Sequence, residues 1–207
     1  MNLKLILTEL KTHIPPEGAT LGFLLKKIKE KGYYILVLIL SVPFIQPVPL
    51  PGISTIFGVM IAILGFSISF KQGKPPHLSY KIYHWKIPHD TLKKMIFYSL
   101  KMLNWIEKFI RPMGGWKKKS GRFYQVNGII ILISGLVLSL PLPIPFSNAL
   151  PAWTCLLMSL AHIEEDERLL WLGYGLAVAT FIFFAFLGFI FFESIEFFKV
   201  FIKTFKI

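Results

Sequence analysis

Pro47-Val48-Pro49-Leu50-Pro51-Gly52-Ile53-Ser54 and Pro141-Leu142-Pro143-Ile144-Pro145-Phe146-Ser147-Asn148 are the stretches on which the fold turns. Alternating proline cannot continue a helix, because each ring removes a backbone donor and collides with the preceding turn. The spacing favours an extended, polyproline-like break. The two stretches superpose at a constant offset of 94 residues: Pro47, Pro49 and Pro51 fall on Pro141, Pro143 and Pro145, and Ser54 falls on Asn148. Serine and asparagine are good N-cap residues, so helix is expected to resume at Ser54 and near Asn148. The pattern reads as an internal repeat of helix, break, helix.

Each break lies inside a long uncharged stretch. Tyr33–Phe70, Val126–Ala161 and Leu169–Phe192 contain no Asp, Glu, Lys or Arg. Across the 207 residues, 54% are hydrophobic and only 16% charged, against roughly one quarter charged in soluble domains. Such runs suit a hydrocarbon layer about 30 Å thick. The expected fold is therefore an all-α integral membrane protein with a single membrane domain over 1–207. It comprises an amphipathic N-terminal region (1–32), hairpin repeat 1 (33–70), a basic interfacial connection (71–125), hairpin repeat 2 (126–163) and one transmembrane helix (169–192).

Helix lengths leave two topologies open. Tyr33–Val42 would rise about 15 Å, and Val126–Leu140 and Asn148–His162 about 22 Å each. These are short for full spans, so each repeat is either a re-entrant hairpin or a pair of helices in a locally thinned bilayer. A break at lipid depth needs protein or water over its backbone, which argues for the two tips packing on each other.

The formal charge of +12 is concentrated beside the apolar segments, with 6 Lys and Arg before Tyr33 and 13 in Lys71–Gln125. That placement points to anionic lipid head groups and a cytoplasmic side, and away from nucleic acid. Both repeats then enter and leave on that side of an inner, cytoplasmic membrane. Thr20–Lys31 and Asp90–Ile110 read as basic amphipathic helices lying at the interface or packed over the hairpins. Met1–Leu10 is short, amphipathic and lacks a small-residue cleavage site, unlike a secretory signal.

The repeat also carries a family resemblance. Pro49-Leu50-Pro51-Gly52-Ile53-Ser54-Thr55 with Gly58, and Pro141-Leu142-Pro143-Ile144-Pro145-Phe146 with Asn148 and Leu150-Pro151-Ala152, resemble two proline motifs of the ExoD family of exopolysaccharide-synthesis-associated membrane proteins. Glu107 with Arg111-Pro112 resembles a central motif of that family, and Glu164 with Asp166 an acidic turn. The likeness runs from about Thr20 to Gly175. Glu165-Asp166-Glu167 stands where the family usually has Arg-Asp-Gly, and Met113 where it tends to have arginine. The resemblance implies an inner-membrane protein linked to exopolysaccharide production, with no catalytic residue set.

The residues themselves show no nucleotide loop, nucleophile arrangement or metal cluster, and no cofactor is expected. His77, His84 and His89 share one connection without ligand spacing. His162 and Asp166, four apart, could face each other on a helix. Cys155, the single cysteine, reads as a packing residue. Gln46, Ser54, Thr55, Ser147 and Asn148 are the candidate binding residues, because paired helix breaks in membrane proteins mark substrate sites. The alternative is that Ser54 and Asn148 cap helices while Pro47, Pro49, Pro51, Gly52, Pro141, Pro143, Pro145 and Pro151 shape the turns. The stretches assigned to the membrane offer no ionisable side chain, which disfavours a proton relay. Three functions follow: a transporter-like protein with a site at the tips, a non-catalytic accessory of an envelope polysaccharide apparatus, and a transferase on lipid-linked sugars using Glu164–Glu167. The sequence leaves homo-oligomerisation open.

Overall fold

The computed structural model describes residues 3–27, 32–45, 53–71, 83–106, 121–142 and 144–205. Eight helices account for nearly all of them: α1 (Leu3–Thr12), α2 (Leu21–Lys27), α3 (Gly32–Ser41), α4 (Ile53–Lys71), α5 (His89–Ile106), α6 (Gly121–Leu138), α7 (Ala149–Glu164) and α8 (Glu167–Phe205). A two-residue ladder joins β1 (Ala19–Thr20) to β2 (Lys86–Ile87), antiparallel, with Ala19 opposite Ile87. Gln46, Pro47, Pro49, Pro51, Gly52 and Pro143 lie outside the described residues, as does His77.

A helix that is apolar all round must be enclosed all round, and α3 obeys this. Every residue from Gly32 to Ser41 is buried. It packs between α7, α4 and α5. The amphipathic α5 turns Leu92, Met95, Ile96 and Leu103 inward and leaves Lys93, Lys94 and Lys101 exposed. It packs on α1 and on α3. The β1–β2 ladder, and a hydrogen bond of 2.9 Å between His89 Nδ1 and the Pro15 carbonyl, tie the N-terminal region to this connection.

The most intimate pairing is between α4 and α6. A Cβ built at Gly58, Gly65, Gly128 or Gly135 would come closer than 3.0 Å to the facing backbone. Gly58 lies against Ser139, Ala62 against Gly135, Gly65 against Leu132 and Gly128 against Ser69. The helices run antiparallel in constant register, and small residues at intervals of four, three and four let their backbones touch. Ser69 Oγ donates to the Gln125 carbonyl at 3.0 Å, closing one end of the seam.

Several expectations need correction. Ser54 is not a helix cap: α4 begins one residue earlier, at Ile53. Asn148 does occupy the N-cap position of α7, but its backbone is helical and its side chain makes no capping hydrogen bond. The second break is not extended over 144–148. It turns, with Phe146 at φ 68° and the Ser147 N–H donating to the Ile144 carbonyl at 3.2 Å. The Ser147 hydroxyl, 2.7 Å from the same carbonyl, stabilises that turn against extension. The helix of repeat 2 starts at Gly121 rather than Val126. The last helix is far longer than 169–192, at 39 residues. Nothing in Phe192–Phe205 breaks a helix, and charge alone does not stop one.

Among the described residues, two helical segments, Ile53–Phe70 and Glu167–Glu193, are long and apolar enough to cross a membrane.

Candidate functional site

Two sets of buried polar residues stand out, one beside the breaks, on α4 and at the start of α7, and one at the C-terminal end of α7. Ser54 and Asn148 are buried, and neither Ser54 Oγ nor Asn148 Oδ1 has a hydrogen-bond partner. Thr55 is half-buried. Ser147 is buried too, but its hydroxyl is engaged by the Ile144 carbonyl and, at 3.2 Å, the Leu142 carbonyl. Its donor therefore serves the turn. Of the five residues singled out in the sequence, Ser54 and Asn148 keep unmet polar atoms. Gln46 falls outside the described residues.

The second cluster, at the C-terminal end of α7, is centred on His162. His162 Nδ1 lies 2.7 Å from the Met158 carbonyl. A carbonyl only accepts, so Nδ1 carries the proton and Nε2 is the acceptor of a neutral ring. Asn127 Nδ2 donates to it at 3.0 Å. The Asn127 Oδ1 in turn accepts from the Tyr174 hydroxyl at 2.6 Å. The chain Tyr174, Asn127, His162, Met158 therefore has one consistent direction and crosses α8, α6 and α7. From α3, the Tyr34 ring stacks on His162 with centroids 4.3 Å apart and planes 12° apart. Phe123 and Tyr124 lie 5.6 Å and 6.1 Å from the same imidazole. The Tyr34 hydroxyl is buried without a partner.

His162, one residue beyond the second charge-free stretch, is an ionisable side chain buried in the protein. The signal for its partner was present: an amide in a charge-free apolar helix must find a hydrogen bond or stay out of it, and Asn127 is such an amide. Nor do His162 and Asp166 share a helix. Glu165 adopts the left-handed conformation, its N–H bonding to the Ala161 carbonyl, and ends α7. Asp166 is buried and accepts from the Arg168 N–H at 2.8 Å, capping α8. The acidic turn is thus built into a helix junction. Cys155 is buried, and Ser41 of α3 and Ser134 of α6 lie beside its thiol.

An all-helical protein with two membrane-length apolar helices and a turn built on alternating proline defines a narrow class. The family model described as "Exopolysaccharide synthesis, ExoD" matches residues 3–186. Protein ExoD of Rhizobium meliloti (strain 1021) is 32% identical over 184 residues, covering 88% of this chain and 76% of that protein. An uncharacterized protein of Synechocystis sp. is 28% identical over 143 residues, covering 69% of this chain and 65% of its own length. No solved structure matches. The chain belongs to the ExoD family, which is associated with exopolysaccharide synthesis.

Proposed function

We propose that this chain is a multi-pass protein of the inner membrane that serves exopolysaccharide synthesis without catalysis, by holding or passing a neutral hydroxylated solute at the paired ends of its two broken hairpins. The observation that carries the proposal is the pair of orphaned polar atoms. Ser54 Oγ and Asn148 Oδ1 are buried and unsatisfied, and their positions correspond at the 94-residue offset. A buried polar group without a partner costs about 1–3 kcal/mol. A solute hydroxyl, which both donates and accepts, offsets that cost at both positions, whereas a charged solute would find no counter-charge on either side chain.

The register of the helix pairs supports two related halves. Tyr34 meets His162, and Ser41 meets Cys155, across α3 and α7. Shifted by the offset, these pairs become Gly128 with Ile68 and Gly135 with Ile61. Each is one residue from an observed contact between α6 and α4, Gly128 with Ser69 and Gly135 with Ala62. The membrane reading is supported by exposed apolar faces: Ile53, Ile56, Phe66 and Phe70 on α4, Ile129, Ile133 and Leu136 on α6, and Phe181 to Phe192 on α8. A soluble monomer rarely exposes such contiguous area.

The test is aqueous labelling of single cysteines at Ser54→Cys and Asn148→Cys in a Cys155→Ala background, from each side of the membrane. Labelling of both by a small hydrophilic reagent is the expected result. If neither reacts, the tips are dry and the transporter-like reading fails. An accessory role would then take its place. One observation favours that role: α8 from Phe181 to Phe192 presents mostly exposed apolar side chains, and a Cβ at Gly188 would meet nothing within 4 Å. This is a surface for other components of a polysaccharide apparatus.

A further inference from the structure

We propose that His162 is a proton-binding site, and that charging it reverses the hydrogen-bond chain joining α6, α7 and α8. The proposal goes beyond the tip site and does not rest on it, because His162 and Asn148 are separated by about 21 Å of α7.

The argument starts from direction. Nδ1–H is committed to the Met158 carbonyl at 2.7 Å, so a proton arriving from water binds Nε2. That nitrogen faces the Asn127 amide NH2 at 3.0 Å. Once Nε2 carries a proton, two donors oppose each other, and a buried clash of this kind is relieved by turning the amide over. Asn127 Oδ1 then accepts from Nε2–H, and Nδ2 faces the Tyr174 oxygen. Tyr174, which had donated to Oδ1 at 2.6 Å, becomes an acceptor, and its hydroxyl hydrogen, on a half-buried side chain, turns away from Asn127. No covalent bond in the protein breaks; one proton is gained at Nε2 and the Tyr174 hydroxyl reorients.

The imidazolium has a seat. Tyr34 lies parallel to the ring at 4.3 Å, with Phe123 at 5.6 Å and Tyr124 at 6.1 Å. Aromatic faces within about 6 Å attract a cation even where water is excluded. Tyr34 from α3, Tyr124 from α6 and, through Asn127, Tyr174 from α8 are titratable groups that face His162. Beyond it in the chain come Glu164, Glu165 and the capping Asp166. A histidine needed only for packing would require neither the aromatic enclosure nor a directed hydrogen-bond chain to two other helices.

The experiment is nitrogen NMR of the full chain in lipid nanodiscs with ring-labelled histidine, titrated from about pH 8.5 to about pH 5, where imidazoles change charge. The expected result is one resonance, absent in His162→Gln, whose Nε2 passes from unprotonated to protonated while the Asn127 side-chain amide shifts at the same midpoint. Tyr34→Leu, which removes the stacked ring, lowers that midpoint by about half to one and a half units. Asn127→Asp, which sets a carboxylate against Nε2, raises it, and identifies the resonance should His162→Gln fail to fold. A His162 that stays neutral throughout, or that titrates with no response from the Asn127 amide, overturns the proposal.

Discussion

Ser54 and Asn148 show how a single buried polar atom can be costly to the fold and useful to the protein. Because Ser54 Oγ has no partner, Ser54→Ala removes a desolvated hydroxyl and little else. The unliganded protein is expected to be unchanged or up to about 1 kcal/mol more stable, measured as thermal unfolding in detergent. A loss of stability above that would show the hydroxyl to be structural. Tyr174→Phe should act in the opposite sense. It strips Asn127 Oδ1 of its donor at a buried site and should cost about 1–3 kcal/mol in the same assay. Ser54 could be singled out from sequence because it follows a proline break. Asn127 could not be paired with Tyr174, since the two are 47 residues apart and meet only through the rotation of two helices.

At the scale of the element, the α4–α6 seam is where side-chain size matters most. Gly65 meets Leu132 and Gly128 through backbone atoms, so a larger side chain cannot be absorbed by a rotamer change. Gly65→Val should cost at least about 3 kcal/mol, at or above the usual range for overpacking. Gly175→Val, at a position where a Cβ meets nothing within 4 Å, should be nearly neutral on packing grounds. Comparison of the two melting temperatures is the check, and equal losses would contradict the seam. The existence of α3, α4, α6 and α7 was readable from the proline breaks and charge-free runs. The glycine seam was not, because small residues at intervals of four and three are common in apolar helices and become an interface only when a second helix presents the matching spacing.

For the whole molecule, the length of α8 is the new constraint. Its 39 residues extend about 58 Å at the α-helical rise, nearly twice a hydrocarbon layer of about 30 Å. On the membrane reading, the chain should remain in the pellet when membranes are washed with alkaline carbonate, and release into the supernatant would contradict it.

The sequence alone determined the helical class, the offset repeat of its breaks, the amphipathic character of α5 and the ExoD resemblance. All of these rest on local chemistry: proline forbids helix, charge resists burial, and period sets a helix face. Only the tertiary structure decided that Ser147 braces a turn while Ser54 and Asn148 stay unsatisfied, that four glycines form a backbone seam, and that His162 sits among aromatic rings at the end of a directed chain. Those features depend on helix rotation and register, which are set by packing between segments tens of residues apart and leave no mark in any one of them.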